Sequence, residues 1–247
     1  MRTIRLRLGE HTLKKIVIIP ARMASTRLPG KPMLMAGGKP LVHWTYEAAK
    51  KTEADQVIVA TPDKKIADYC LLHGLVYWPT PDDLPTGTHR CAFVAKELQS
   101  TMDDFVVIDM QVEYPLVSPE DVNRLWSPSP LEINTLVEVP VNATDEFDRN
   151  IVKTVISEIY KKCFWFSRAP MVGSLFHVGI YSYTMRTLLS LGQMPQTRLS
   201  KAESLEQLAW IEHGYSVIPF VMDSSTVSID CPDDWQKFLA MVESKND

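Results

Sequence analysis

Ile16, Val17, Ile18 and Ile19 form an unbroken β-branched run between Lys15 and Pro20. Such a run marks a short strand in the middle of a parallel sheet, covered on both faces, and Pro20 ends it. Strand-like and helix-like segments then alternate. Leu41, Trp44, Ala48 and Ala49 share one helical face, residues 56–61 read as a second buried strand, and 64–73 as a helix closed by Gly74. Residues 75–78 are the third strand expected. Cys91, Val94, Ala95 and Leu98 give 86–99 a helical spacing, and 105–109 is the fourth strand. This first half is a βαβαβαβ unit, for which right-handed crossovers are expected.

Beyond Ser118 the pattern loosens. Segments 133–139, 152–156, 159–166 and 177–183 read as strands, some of them antiparallel; 185–191 and 203–213 read as helices. Residues 215–221 give another strand, and 232–242 a final helix with Pro232 in its first turn. The fold expected is α/β: a three-layer, mostly parallel Rossmann-like sheet with an antiparallel substrate-side subregion. With no internal repeat or low-complexity linker, residues 15–245 are expected to form one domain. Residues 1–14 are expected to be an extension, irregular or an edge strand.

Composition narrows the function. The chain has 247 residues, 45% of them hydrophobic and 23% charged, which is ordinary for a globular protein with a sizeable core. Its formal charge of −4 speaks against nucleic acid as a partner. Cys70, Cys91, Cys163 and Cys231 are far apart without a C-x-x-C pair, and read as reduced thiols. No stretch approaches the roughly 18 apolar residues that cross a bilayer, and the N-terminus lacks the apolar core of a secretory leader. A cytoplasmic protein without membrane contact is the expectation.

Against this mildly acidic background, the loop after the first strand carries Arg22, Arg27 and Lys31. Ala21, Ala24, Ser25 and Gly30 between them let backbone N–H groups approach a phosphate closely, so the loop suits a polyanion. A solvated basic loop is the plainer alternative. The loop is neither a dinucleotide fingerprint nor a Walker A loop, because it lacks G-x-G-x-x-G and the residue after Lys31 is Pro32. In open parallel sheets ligands bind beyond the carboxyl ends of the strands, which places this loop on one rim with those after 61, 78 and 109. Thr86-Gly87-Thr88 on that rim precedes a helix and offers hydroxyls and free N–H groups there, either to a ligand or simply as a cap.

Pro20, Ala21, Arg22, Ser25, Arg27, Pro29, Gly30, Lys31 and Pro32 match P-A-R-x-x-S-x-R-x-P-G-K-P. This resembles the opening signature of the sugar-activating cytidylyltransferases, above all the 3-deoxy-manno-octulosonate cytidylyltransferases. The resemblance runs from about Lys15 to Leu239 and implies a fold of the nucleotide-diphospho-sugar transferase type. It implies nucleotide contacts at Pro20, Ala21, Arg22, Ser25, Arg27, Lys31, Thr86, Gly87, Thr88 and Arg90, with His89 replacing the family's acid. Gln111-Val112-Glu113-Tyr114-Pro115-Leu116 stands where the family has Q-G-D-E-P-L, whose Asp holds magnesium. Glu113 and, from a second motif, Asp230 are therefore the implied Mg2+ ligands, although Asp230 before a Pro-led helix also fits an N-cap. Glu113 is one methylene longer than the family's ligand, and Val112 would obstruct a positive φ if the family's Gly uses one.

Further partial matches imply a pocket for an acidic sugar built from Gln111, Arg168, His177, Tyr181, Glu206 and Gln207. For His177 alone, a buried core histidine is the plainer reading. Phe176 and Ala209 stand where the family has Arg, and only six residues separate Pro170 from His177. The implied activity is that of a nucleotidyltransferase joining CTP to a 3-deoxy-2-ulosonic acid for lipopolysaccharide synthesis, with Arg22, Lys31, Glu113 and Asp230 as the catalytic set. Two alternatives stand beside it: the same chemistry on a modified sugar acid, such as an 8-amino octulosonic or a nonulosonic acid, or a non-catalytic CTP- or sugar-binding homologue with a degenerate metal site. A homodimer is implied by resemblance alone, with Trp126, Leu131, Phe164, Trp165 and Phe176 fitting an interface or a core equally.

Overall fold

The computed structural model describes residues 13–25, 27–141 and 143–244. In chain order its first half comprises β1 (Lys14–Pro20), the hairpin β2 (Met35–Ala36) and β3 (Lys39–Pro40), α1 (Leu41–Lys50), β4 (Gln56–Thr61), α2 (Lys64–His73), β5 (Tyr77–Pro79), α3 (Gly87–Leu98) and β6 (Phe105–Met110). The second half adds α4 (Pro119–Asn123), β7 (Glu132–Glu138), β8 (Lys153–Ile156), β9 (Cys163–Ser167), β10 (Leu175–Thr184), α5 (Met185–Leu191), α6 (Arg198–Glu203), α7 (Glu206–Glu212), β11 (Ser216–Val221) and α8 (Pro232–Glu243). Most of the N-terminal extension expected over residues 1–14 lies outside the described residues, while Lys14 opens β1.

One nine-stranded sheet in the order β5-β4-β1-β6-β10-β7-β11-β9-β8 organises the molecule. β1 sits between β4 and β6, parallel to both, with Ile18 in register with Ile58 and Asp109. Its run from Ile16 to Ile19 is buried, as its continuous apolar pattern requires. β10 runs antiparallel between β6 and β7, so β7 and β11 regain the direction of β1. The carboxyl ends of β1, β4, β6, β7 and β11 thus share one edge. Buried residues of α1, α2, α4 and α8 pack on one face of the sheet, and those of α3, α5 and α7 on the other. The expected three-layer, mostly parallel architecture is the one observed.

Two expected elements differ. The helix expected over 203–213 starts only at Glu206 as α7, because Ser204 takes a left-handed conformation (φ 55) that ends the preceding α6 while Leu205 turns into the core. The strand expected over 159–166 begins only at Cys163. Residues 157–162 instead form a turn in which Lys161 N–H donates to the Ser157 carbonyl at 2.8 Å, Lys161 has φ 52 and Ile159 is exposed. Of the apolar residues left open between core and interface, Trp126 and Phe176 are buried, whereas Leu131, Phe164 and Trp165 are exposed.

The loop after β6 is held from below. Thr45 on α1 is fully buried and donates its hydroxyl to the Val112 carbonyl at 2.8 Å. Thr45→Val keeps the shape and strands that carbonyl, so it is expected to lower the unfolding free energy by about 1–3 kcal/mol in urea denaturation. A variant as stable as the parent would show that the tether contributes nothing.

Candidate active site

The turn after β1 is shaped by local bonds. Met23 N–H donates to Asp63 at 2.8 Å, and Ser25 and Gly30 N–H both donate to the Met23 carbonyl, at 2.9 and 3.2 Å. Gly30 adopts φ 69, a conformation open to glycine at no steric cost, and starts a single 3-10 turn over Lys31–Met33 with Pro32 inside it. That reversal drives the Lys31 side chain inward. Pro20, Ala21, Arg22, Ser25, Arg27 and Lys31 line a cavity of about 260 Å³ together with Thr86, Gly87, Arg90, Gln111 and Glu113. Four cations and one carboxylate make it a cavity for an anion.

Two of the expected nucleotide contacts also bond within the protein. Thr88 is buried and does not line this cavity; its hydroxyl lies 3.4 Å from that of Tyr183. The reason is helical geometry, since Thr88 sits on the face of α3 that packs on the sheet. Arg90 lines the cavity but is nearly buried, and its guanidinium donates to Thr80 Oγ1 and, at 2.9 Å, to the Pro81 carbonyl, clamping the loop after β5. Thr86 caps α3 by accepting His89 N–H at 3.3 Å while donating to Glu206 at 2.6 Å, so its hydroxyl ties the start of α3 to the start of α7.

Lys31 is the centre of the site. Its ammonium, on a side chain only 11% exposed, lies 3.1 Å from Glu113 Oε2 and 3.3 Å from Asp230 Oδ1. Burial alone pushes that ammonium's pKa down, but Glu113 and Asp230 overcome it and hold it above its ordinary value. Asp230 also accepts from Arg27 at 2.9 Å and from Ser228 at 3.0 Å. Burial pushes its carboxyl up, and Lys31 and Arg27 outweigh it, leaving the pKa below the ordinary value. Asp230 is not the cap of α8. Asp234 accepts the N–H groups of Asp230 and Cys231 at 3.1 and 3.0 Å, freeing the Asp230 carboxylate for the site.

The altered β6 loop is unstrained. Val112 lies outside the positive-φ residues and is buried, and Glu113 reaches the same ammonium as Asp230 despite its extra methylene. Tyr114 is buried, its hydroxyl accepting Gly179 N–H at 2.9 Å where β10 bulges. The Glu113 and Asp230 carboxylates offer hard oxygens on one cationic point, and no group of three or more metal-ligating side chains exists among the described residues. That donor set fits magnesium, which is usually held by one or two carboxylates with substrate phosphates and water completing its shell.

A larger cavity of about 570 Å³ opens beside the first and shares Arg27, Gln111 and Glu113 with it. Gln111, Arg168, His177, Tyr181, Glu206 and Gln207, the residues expected around a sugar, all line it. His177 Nε2 lies 3.1 Å from Thr135 Oγ1, and burial, reinforced by Arg168, pushes its imidazole down to about 3, so it is neutral. Arg168 donates to the carbonyls of Arg149 and Asn150 at 3.3 and 3.0 Å. The cavity also takes in Glu138, Asp148 and Lys237, which nothing in the sequence singled out. Glu138 had one available signal, its place at the carboxyl end of an expected strand.

A cationic turn and paired carboxylates at the carboxyl edge of a parallel sheet define a nucleotidyltransferase class of protein. The model of the cytidylyltransferase family matches residues 16–218, and the chain belongs to that family. It is 32% identical to a 3-deoxy-manno-octulosonate cytidylyltransferase of Parabacteroides distasonis, over 94% of this chain and 100% of the relative. It is 35% identical to that of Photobacterium profundum, over 92% and 98%. A solved CMP:2-keto-3-deoxy-manno-octonic acid synthetase complexed with CTP superposes with a TM-score of 0.81 at 29% identity, covering 94% of this chain and 99% of that one.

The depressed Asp230 pKa has a defined consequence for the ligand-free protein. Its stabilisation is present above the ordinary carboxylate value of 3.8 and is lost as pH falls through the lower folded value. In urea denaturation from pH 7 to 2, Asp230→Asn is expected to be less stable at neutral pH and to lose less stability on the acid side. Parallel curves for parent and variant would contradict the pairing.

Proposed function

We propose that this cytidylyltransferase joins CTP to 3-deoxy-manno-octulosonate or a close analogue, giving the CMP-sugar and pyrophosphate. The observation that carries the reading is the Lys31 ammonium between Glu113 and Asp230 where the two cavities meet. Arg22, Arg27 and Lys31 would take the triphosphate, and the larger cavity the sugar acid. The anomeric hydroxyl attacks the α-phosphorus as the bond to pyrophosphate breaks. The cationic side chains neutralise charge building on the phosphate oxygens, and the cavity walls hold nucleophile and leaving group in line. Glu113 and Asp230 would hold magnesium, which would add Lewis-acid neutralisation of phosphate charge.

On this reading the protein would act in the cytoplasm as a homodimer serving lipopolysaccharide synthesis; among the described residues no helix is long and apolar enough to cross a membrane. One observation favours a second reading, the same chemistry on an amino-substituted sugar acid. Glu138, opposite Phe176 on β10, accepts Thr226 N–H at 3.3 Å, forms no ion pair among the described residues, and has its pKa raised by burial. A cationic substituent on the sugar would satisfy it.

Pyrophosphate release dependent on both CTP and the sugar acid is the direct test. Lys31→Ala is expected to lower turnover by about two to three decades, the typical effect of deleting one preorganised donor. An unchanged rate would reject the assignment. Glu138→Gln is expected to lower turnover with the amino-substituted acid and to spare the unmodified one; equal effects on both would remove the second reading.

A further inference from the structure

Asp109 has no part in the chemistry above, yet it is a carboxyl with 0% exposure at the end of β6. It stands in register with Ile18 on β1 and Tyr181 on β10, on the sheet face that carries Phe105, Val107 and α3. Every neighbouring strand position there is apolar or aromatic. Its Oδ1 accepts Gln111 Nε2 at 2.7 Å, and the carboxyl also meets the Cys91 thiol of α3. Taking a carboxyl out of water is costly, a cost an apolar residue would avoid. Burial, with Glu206 adding to it, raises the Asp109 pKa well above the ordinary value. The neutral acid keeps a carbonyl oxygen that accepts an N–H.

The partner of that oxygen sits where the two cavities meet, since Gln111 lines both. Its amide is pressed against the start of α3. A Cβ on Gly87 would fall 2.6 Å from Gln111 Nε2 and 3.1 Å from Oε1, so a side chain there would displace the amide. On the other side its Cγ approaches Gly179 of β10. A glutamine amide has a donor end and an acceptor end that exchange by a half-turn, and the partner at one end decides which end a ligand meets.

We propose that Asp109 is a positioning residue that turns the Gln111 amide nitrogen into the protein, leaving Oε1 to accept a ligand hydroxyl at the junction of the two cavities. The inference rests on the reading of that junction as the place where CTP and the sugar acid meet. The hydroxyl belongs to the sugar acid or to the nucleotide ribose, and the chemistry of recognition is the same.

The test is a double-mutant cycle of Asp109→Leu, Gln111→Leu and both together, with Asp109→Asn as the conservative variant. KM for CTP, KM for 3-deoxy-manno-octulosonate, kcat and the thermal midpoint are measured for each. Parent activity tests the underlying reading; should the parent not turn over, calorimetric affinities for the same two compounds run through the same cycle test the inference separately. Asp109→Leu is expected to raise one KM by about tenfold, the factor that corresponds to one hydrogen bond, with kcat changing less. A rise for the sugar acid assigns the hydroxyl to the sugar, and a rise for CTP assigns it to the ribose.

Asp109→Asn retains a carbonyl to accept Gln111 N–H and is expected to stay within about threefold of the parent. The double variant is expected to be no worse than Gln111→Leu. Asp109→Ala takes the place of Asp109→Leu if the larger side chain lowers the midpoint. Parent-like constants in Asp109→Leu, losses that multiply in the double variant, or equal damage from Asn and Leu would each overturn the proposal.

Discussion

A buried ammonium has to be paired, and in this protein the pairing draws distant parts of the chain to one point. Lys31 comes from the turn after β1, Glu113 from the loop after β6, and Asp230 from the segment that leads into α8. Taking a charge out of water costs several kcal/mol unless partners and hydrogen bonds replace the solvent. Removing either carboxylate would leave the ammonium short of that replacement. The three groups face one another because β1 and β6 are neighbours in the sheet and α8 packs on the face shared with α1. The ammonium is therefore held in one place in the ligand-free protein, by two carboxylates that come from different parts of the chain.

The charge on either side of this centre divides the site. Arg22, Arg27, Lys31 and Arg90 face the smaller cavity, and carboxylates dominate the larger one. A triphosphate suits the first by simple electrostatics. The larger cavity does not attract an anion by its overall charge, so a carboxylate bound there would depend on particular cations such as Arg168. Departures from the family motif are accommodated without strain. Val112 needs no left-handed backbone, Glu113 reaches Lys31, and Tyr114 replaces a charged group by a hydroxyl bonded to the bulge of β10.

Much of this was legible in the sequence, and the limits have physical causes. The first half reads well because its strands are buried on both faces and its helices are amphipathic, so the hydrophobic pattern has one solution. The second half mixes antiparallel pairs with short turns, where local backbone conformations at Lys161 and Ser204 decide the element ends and leave no periodic trace. Among site residues, the cationic turn announced itself through the density of Arg and Lys among small residues. Whether Asp230 capped a helix or faced the site depended on Cys231 standing at the N-cap, with Asp234 in the first turn reaching back to the N–H groups of Asp230 and Cys231. The burial of Thr88 and Asp109 was not legible, because each points to the core side of its element and only strand register and helix phase show that.

The account stands or falls on what meets Lys31. A crystal structure of the protein grown with CTP and magnesium tests it directly. The account predicts triphosphate against Arg22, Arg27 and Lys31, with the ammonium drawn from Glu113 and Asp230 toward the phosphates. Nucleotide bound elsewhere, or the smaller cavity empty with the Lys31 pairings intact, would contradict it.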